Sequence, residues 1–363
     1  MTSVMWFRRD LRLDDNPALL AAVSDADGAE VVPLFVLDPA LWRRAGPSRR
    51  AYLTAGLGHL GDRVGGLQLR RGDPVREVVS VARAAGASTV HVAEDFGPYG
   101  ARRDRCVQEA LARHGIELVR TGTPYAVPPG QVVNNGGEGY QVFTPFSRAW
   151  RNHGWHAPVA APRSVSWARP LKSHRPYDAP PPSGLCLPDA GEAAARRRWS
   201  YFLENRLGDY ATRRDRPDLD RTSRMSVHLK WGEIHPRTML ADLGRRHGDD
   251  AATYATELAW REFYADVLWR RPETAREYLK AEFAEMEYDE PGDGFAAWRD
   301  GRTGFPVVDA GMRQLRAEGW THNRVRMIVA SFLVKDLHLE WQHGARHFLR
   351  WLVDGDLASN QHG

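Results

Sequence analysis

A chain of 363 residues has room for two or three domains, each large enough for its own core. Hydrophobic content of 42% and charged content of 26% fit an ordinary soluble globular protein, and no apolar run approaches the roughly 20 residues of a membrane span. A formal charge of +4 and a pI near 9.1 permit nucleic-acid binding without demanding it. The first apolar run, Val4-Met5-Trp6-Phe7, is too short for a signal peptide before Arg8-Arg9-Asp10. Alternation then sets in. Val4–Phe7, Val31–Val36, Leu67–Leu69, Thr89–Ala93 and Glu117–Val119 read as strands, and Pro17–Val23, Arg49–Val64, Pro74–Ala85 and Ala101–His114 as helices. Strands alternating with helices imply a parallel sheet with crossover helices, and apolar runs without a polar face imply burial on both sides. No Gly-x-Gly-x-x-Gly follows the first strand, so the dinucleotide fingerprint is absent.

From about residue 121 the pattern dissolves into Pro, Gly and Asn, ending in Ala179-Pro180-Pro181-Pro182-Ser183-Gly184, and reads as a long surface connector. Beyond it the chain reads as mostly helical, with period-3.6 apolar faces over Thr256–Trp269 and His322–Trp341. The expected division is an α/β domain over 1–125, an irregular connector over 126–195 and a helical domain over 196–363. Thirteen Trp point to a large core or an aromatic-lined pocket. Cys106 and Cys186 are the only cysteines; they form no metal or redox spacing and suit a reducing cytoplasm.

Four stretches of the helical part could carry chemistry. Thr222-Ser223-Arg224-Met225-Ser226 offers three hydroxyls and free backbone N–H groups at a helix start, which suits a phosphate or serves simply as a cap and turn. Glu257, Trp260 and Arg261 share one helix face, as a ligand-facing set or as an i, i+4 ion pair beside a buried Trp. Asn323 and Met327 lie one turn apart, with Arg326 beside them. Trp341 is 18 residues beyond Asn323, an integral number of turns, and shares that face if the helix runs straight. Asp354 and Asp356, two residues apart beside Gly355, could bind a cation or form a solvated acidic turn. Residues 196–230 hold ten Arg or Lys against five Asp or Glu, a stripe that suits phosphate contacts or a solvated helix face.

Trp320-Thr321-His322-Asn323-Arg324-Val325-Arg326-Met327, read with Asp354-Gly355-Asp356-Leu357-Ala358-Ser359-Asn360, resembles the flavin and lesion pocket of the photolyase/cryptochrome family. Within it the chain resembles the enzymes that split cyclobutane pyrimidine dimers in DNA under light. The opening Trp6-Phe7-Arg8-Arg9-Asp10-Leu11-Arg12-Leu13-Asp14-Asp15-Asn16 matches as well. The resemblance implies a Rossmann-like parallel-sheet antenna domain, a long linker and a helical FAD-binding domain. It implies that FAD, reduced when active, is held by Tyr210, Thr222, Ser223, Arg224, Met225, Ser226, Tyr254, Arg261, Asn323, Arg326, Asp354, Asp356 and Asn360. Glu257, Trp260, Asn323 and Met327 are then the contacts to a flipped dimer, and Trp341 and Tyr288 carry electrons, the Tyr standing where the family has a terminal Trp. The catalytic set it implies is Glu257, Asn323, Trp341 and Tyr288, with no metal.

Asn360 distinguishes a repair enzyme from plant-type cryptochromes, which usually carry Asp there, and Thr321-His322-Asn323 lacks the His-His pair of enzymes acting on (6-4) photoproducts. Arg9, Phe35, Asp38, Arg49, Asp95 and Lys230 match positions lining an 8-hydroxy-5-deazaflavin antenna in some members, with methenyltetrahydrofolate as the alternative; Gly97 departs from the acidic residue expected nearby. The family pattern also places a flavin-proximal Trp, a second lesion-stacking Trp and pocket-closing helices after Gly363, so the helical domain is expected to be incomplete at its end. The implied activity is a carbon–carbon lyase acting as a monomer on damaged DNA, with no membrane partner. The alternatives are a cryptochrome-like blue-light receptor without repair and an inactive C-terminally truncated fragment.

Overall fold

In the computed structural model, which describes residues 1–171 and 173–363, five strands form one parallel sheet. They are β1 (Ser3–Phe7), β2 (Val31–Leu37), β3 (Gln68–Arg71), β4 (Thr89–Val92) and β5 (Glu117–Arg120), ordered β3-β2-β1-β4-β5. The register runs Val4 to Val32 on one side of β1 and Val4 to Val90 on the other. Helices α1 (Pro17–Ala26), α2 (Pro39–Arg44), α3 (Pro47–Arg63), α4 (Pro74–Ala84) and α5 (Pro98–Ala112) cover both faces. All residues of β1 and β2 are buried, because each face has its own apolar cluster: Val4, Trp6, Leu34 and Val90 on one, Met5, Phe7, Phe35 and Leu57 on the other. Three of these helices start alike. The side chains of Asn16, Asp38 and Asp73 accept from backbone N–H groups at 3.2, 2.8 and 2.9 Å, and each is followed by Pro.

The strand order reverses at β1 and β4, and ligands of open α/β sheets collect outside the carboxyl ends of the strands at such a point. Here that edge faces the helical half. The loop Arg8–Asn16 leaves β1 and runs directly into it. Leu11 N donates to Trp231 O at 3.2 Å, and Leu13 N and Asp14 N donate to Glu192 at 2.9 and 3.1 Å. Arg237 Nη2 bonds Asp15 at 2.6 Å. Gly232 is left-handed at φ +67, and a Cβ there would lie 1.8 Å from Arg9 O, so only glycine permits the approach.

Beyond β5 the α-helices are α6 (Phe143–His153), α7 (Glu192–Asn205), α8 (Tyr210–Arg213), α9 (Ser226–Trp231), α10 (Pro236–Gly244), α11 (Asp249–Arg270), α12 (Asp293–Asp300), α13 (Pro306–Glu318), α14 (Asn323–Ser331), α15 (Trp341–Trp351) and α16 (Leu357–His362). Two differences from the sequence reading matter. The stretch expected to be an irregular connector contains α6. Phe146 and Trp150, four residues apart, bury against Phe263 and the 126–132 segment. Glu262 fastens that segment, accepting from Val127 N at 3.0 Å and from Trp150 Nε1 at 2.6 Å. Further on, the single helix expected over His322–Trp341 is broken. α14 gives way to one π-helical turn, Phe332–Asp336, and His338 is left-handed at φ 49 before α15 begins. Trp341 therefore does not extend the face of Asn323 and Met327.

No described helix is long and apolar enough to cross a membrane.

Candidate functional site

The segments picked out by sequence converge where the sheet's carboxyl edge meets the helices. On α8 and α11, Tyr210 and Tyr254 are buried with ring centroids 5.1 Å apart, and Tyr254 OH lies 2.6 Å from Ser223 Oγ. Burial raises both phenols, with Glu257 adding to the effect at Tyr210, so both rings stay neutral hydrogen-bonding groups. Arg224 is left-handed at φ 54, a conformation costing about 1–2 kcal/mol for a residue with a Cβ. Its guanidinium reaches Glu318 at 2.8 Å and lies over the Trp320 ring at 4.3 Å. Such strain gathers at functional turns. Ser226 opens α9 and donates to Asp354 Oδ2 at 2.6 Å. The same oxygen accepts from Arg326 Nη2 at 2.9 Å, while Arg326 Nε holds Thr321 O at 2.9 Å. Residues 222–226, the start of α14 and the 354–360 loop are thereby tied through one buried carboxylate.

Asp356 sits on the sheet side of that carboxylate. It accepts from Arg9 Nη2 at 2.7 Å, faces Lys230 Nζ at 3.8 Å, and caps α16 through Ser359 N at 3.3 Å. Burial would raise its carboxyl, but Arg9, Lys230 and Arg261 outweigh burial and hold it below the ordinary range. Lys230 is pushed down to about 7 by burial and by the Arg9 charge, which together exceed the attraction of Asp356. Both acidic residues of this loop are thus paired with cations of the chain itself. Asn360 lies on α16, with Nδ2 on Ala345 O at 3.2 Å.

On the outer side, Glu257 pairs with Arg214 rather than with Arg261, and Asp215 with Arg324 at 2.6 Å. Arg261 points to the sheet side, donating to Pro124 O at 3.0 Å with its guanidinium over Tyr125 at 4.8 Å. Trp260 stacks on Phe143 at 3.5 Å and 8°. Asn323 and Met327 stay together at the exposed start of α14, Nδ2 to Sδ at 3.9 Å. Trp341 and Tyr288 each lie against Tyr278, whose ring centroid is 6.2 Å from both.

Of the expected antenna positions, Arg9 and Lys230 meet at Asp356, and Arg49 Nη1 reaches Gly355 O at 3.4 Å. Asp95 binds Arg103 at 3.1 Å; burial would raise it, but Arg103, Arg8 and Arg9 hold it low. Asp38 caps α2 and accepts from Tyr99 OH. Phe35 packs in the sheet core. Sequence reasoning missed the Asp15–Arg237, Glu192 and Glu262 anchors; of these only Glu262, an acidic residue among apolar residues on one face of α11, left a signal in the sequence.

Several buried polar atoms around the convergence lack a protein partner: Asp354 Oδ1, Arg224 Nε, Arg261 Nη2 and Arg9 Nε. Unpaired buried donors and acceptors are costly, so this set fits a ligand that brings both anionic oxygens and amide-like groups, as FAD does. Residues 254–363 match the family described as the FAD binding domain of DNA photolyase, and residues 3–163 match the DNA photolyase family. A deoxyribodipyrimidine photo-lyase of Streptomyces griseus is 41% identical over 99% of this chain and 80% of its own length. The chain belongs to the photolyase/cryptochrome family. Its fold agrees with the crystal structure of a class III photolyase from Agrobacterium tumefaciens at a TM-score of 0.92 and 33% identity, over 99% of this chain and 78% of that one. It also agrees with a cryptochrome from Synechocystis at 0.88 and 26%, over 99% and 80%. The FAD-binding match starts at Tyr254; Tyr210 and Thr222–Ser226 lie between the two matched regions. Within the family, α11, α14 and the 354–360 loop are the FAD-binding half, and the sheet is the photolyase N-terminal domain.

Proposed function

We propose that this chain is a light-driven lyase of the cyclobutane-dimer class, with FAD held between residues 222–226, the start of α14 and the 354–360 loop. The observation that carries it is the Ser226–Asp354–Arg326 network, with the unpartnered Asp354 Oδ1 beside it. When bound, reduced FAD supplies the photochemical electron that opens the cyclobutane ring and recovers it afterwards. The protein's part is positioning and charge. Ser226 and the backbone N–H groups of 222–226 suit a pyrophosphate, with Tyr210 and Tyr254 walling it. Arg326, fixed by Thr321 O, holds the Asp354 carboxylate in place. Asp356, pinned by Arg9 and Lys230, sets the start of α16 and with it Asn360. Glu257, Trp260, Asn323 and Met327 form the dimer face. Phe143 covers one side of the Trp260 indole and stiffens it as a stacking surface. Arg214 and Arg324 border this face and suit DNA phosphates, which position the strand without reading its sequence. Trp341 and Tyr288 serve electron entry.

The Arg9, Arg49 and Lys230 cations at the sheet edge suit an anionic antenna, for which 8-hydroxy-5-deazaflavin is the first choice and methenyltetrahydrofolate the second. The free, exposed Cys106 and Cys186 fit a monomer working in the reducing cytoplasm. A light-receptor reading is favoured by the likeness to the Synechocystis cryptochrome and opposed by Asn360 and Glu257. The test is the visible spectrum of the purified chain, followed by loss of pyrimidine dimers from irradiated DNA. Flavin bands with light-dependent repair are expected, and repair at equal rate in the dark would overturn the proposal.

A further inference from the structure

A second cleft lies between α7 and the 218–228 segment. Its volume is about 370 Å³, within the 300–1,000 Å³ typical of small-ligand sites. Arg197, Arg198, Tyr201 and Arg206 enter it from α7 and its end, and Thr222 and Ser223 form the facing wall. None of Tyr210, Tyr254, Ser226, Arg326 or Asp354 lines it, so it backs onto the flavin region through the shared 222–223 wall. Ser223 shows both sides of that wall: its hydroxyl is turned to Tyr254 OH at 2.6 Å, while its carbonyl accepts from Arg198 Nε at 2.9 Å.

The charges in the cleft are not balanced. Arg206 is matched by Asp220 at 2.9 Å, and Arg197 by Asp189 only at 3.9 Å with both groups in solvent. Arg198 has no carboxylate partner among the described residues; the Ser223 carbonyl fixes its Nε and leaves the guanidinium's remaining donors in the cleft. Burial lowers its pKa, and Arg224 and Arg206 add to the effect against Asp220, so the surroundings of this cation call for an anion. A flat surface lies beside it. Tyr201 is about half exposed, at 52%, and the Arg206 guanidinium sits 5.2 Å from its ring centroid. A bidentate arginine suits phosphate, and a half-exposed tyrosine with a guanidinium over one face can offer its other face to a heteroaromatic base.

We propose that this cleft binds a nucleotide through its phosphate monoester, with the phosphate on Arg198 and Arg197 and the base on Tyr201. The site is separate from the flavin region and holds whether or not the chain repairs DNA. The ligand is a free mononucleotide or the 5′ end of a strand, and the two are told apart by comparing adenosine 5′-monophosphate with oligonucleotides bearing a 5′-phosphate or a 5′-hydroxyl.

The experiment is calorimetric titration of the full chain with adenosine 5′-monophosphate, adenosine and inorganic phosphate. The expected result is saturable binding of the monophosphate, with adenosine at least tenfold weaker. Arg198→Gln is expected to weaken binding at least tenfold and Tyr201→Ala severalfold, with partial recovery in Arg198→Lys, which restores charge without the planar fork. An unchanged far-ultraviolet spectrum and thermal transition in each variant separates lost binding from lost folding; if Arg198→Gln does not fold, Tyr201→Ala and Arg198→Lys decide. Adenosine binding as tightly as its monophosphate, or affinity unchanged in both Arg198→Gln and Tyr201→Ala, overturns the proposal. So does displacement of the monophosphate by FAD one for one together with its loss in Tyr210→Ala, since the site would then be the flavin's own.

Discussion

Replacing Asp354 by Ala tests the network that ties the flavin region together. The carboxylate is 2% exposed, and its Oδ2 accepts two hydrogen bonds, from Ser226 Oγ at 2.6 Å and from Arg326 Nη2 at 2.9 Å. It is also the main favourable charge for Arg49, whose pKa burial has already lowered to about 10. Removing it leaves Ser226 without this partner and two partly buried guanidiniums without their counter-charge. Hydrogen bonds to charged groups contribute about 1.5–3 kcal/mol each, and breaking a buried ion pair from one side costs about 3–5 kcal/mol. These are two views of one loss, so the expected destabilisation is about 3–5 kcal/mol. Asp354→Asn keeps the volume and one acceptor, and roughly half that cost is expected. The assay is urea unfolding followed by tryptophan fluorescence, with the slope checked for constancy so that the midpoint shift reports stability. The double variant with Arg326→Ala should show a coupling energy of about 1 kcal/mol or more. A loss below about 1 kcal/mol for Asp354→Ala, with no coupling to Arg326, would refute the buried-pair argument.

Lys230 makes stability depend on pH. Its folded pKa of about 7 lies below the ordinary 10.5, so the folded chain sheds this proton first. Stability is lowest below pH 7, where both states carry the proton, and rises between pH 7 and 10.5. The span corresponds to on the order of 5 kcal/mol at most, and Lys230→Met should flatten the rise in urea midpoints measured at pH 7, 8.5 and 10. Glu262→Ala strands Val127 N and Trp150 Nε1, and a loss of about 3–5 kcal/mol in the same assay is expected; a loss within 1 kcal/mol would show that the 126–132 segment is held by apolar contacts alone. Arg324→Ala should weaken binding to DNA of any sequence and reduce the slope of log affinity against log salt by about one, read by fluorescence anisotropy; an unchanged slope removes Arg324 from the DNA face. Tyr288→Phe should slow photoreduction of bound flavin while changing stability by no more than about 0.5 kcal/mol, because it removes only a solvent-exposed hydrogen bond to Phe283 O and keeps the ring on Tyr278.

The sheet was legible because two of its inner strands, β1 and β2, are nearly continuous apolar runs buried on both faces. Two of its helices, α1 and α4, carry a plain start signal in Asn16 and Asp73 directly before prolines, whereas α2, with the same signal at Asp38, was not among the expected helices because it is only six residues long. α6 was missed because Pro145 and the surrounding glycines and asparagines suggest a loop, although Phe146 and Trp150 already mark one helical face. The break before Trp341 was hidden for the opposite reason. Leu337 and Leu339 continue an apolar pattern, and only the left-handed turn at His338 interrupts it. Ion-pair partners were least legible. Glu257 has Arg261 at helical spacing, yet it pairs with Arg214, because Arg261 is drawn across to the Pro124 carbonyl and the Tyr125 ring. Local spacing proposes such pairs, and tertiary position selects among them.

The same selection explains why the two halves of the chain form one site. Arg9 and Asp356 are 347 positions apart, yet Arg9, which follows the central strand, holds the residue that caps α16. Nearly every carboxylate at this boundary is matched by a cation from the other half: Asp356 by Arg9, Asp15 by Arg237, and Glu192 by the Leu13 and Asp14 amides together with Arg63. Buried pairs of this kind add little net stability over apolar packing, but they penalise any other alignment, since a misplaced half would strand several charges at once. The boundary therefore acts mainly to set register. Loosening the Arg8–Asn16 loop should misplace Asn360 and Asp354 well before it unfolds either half.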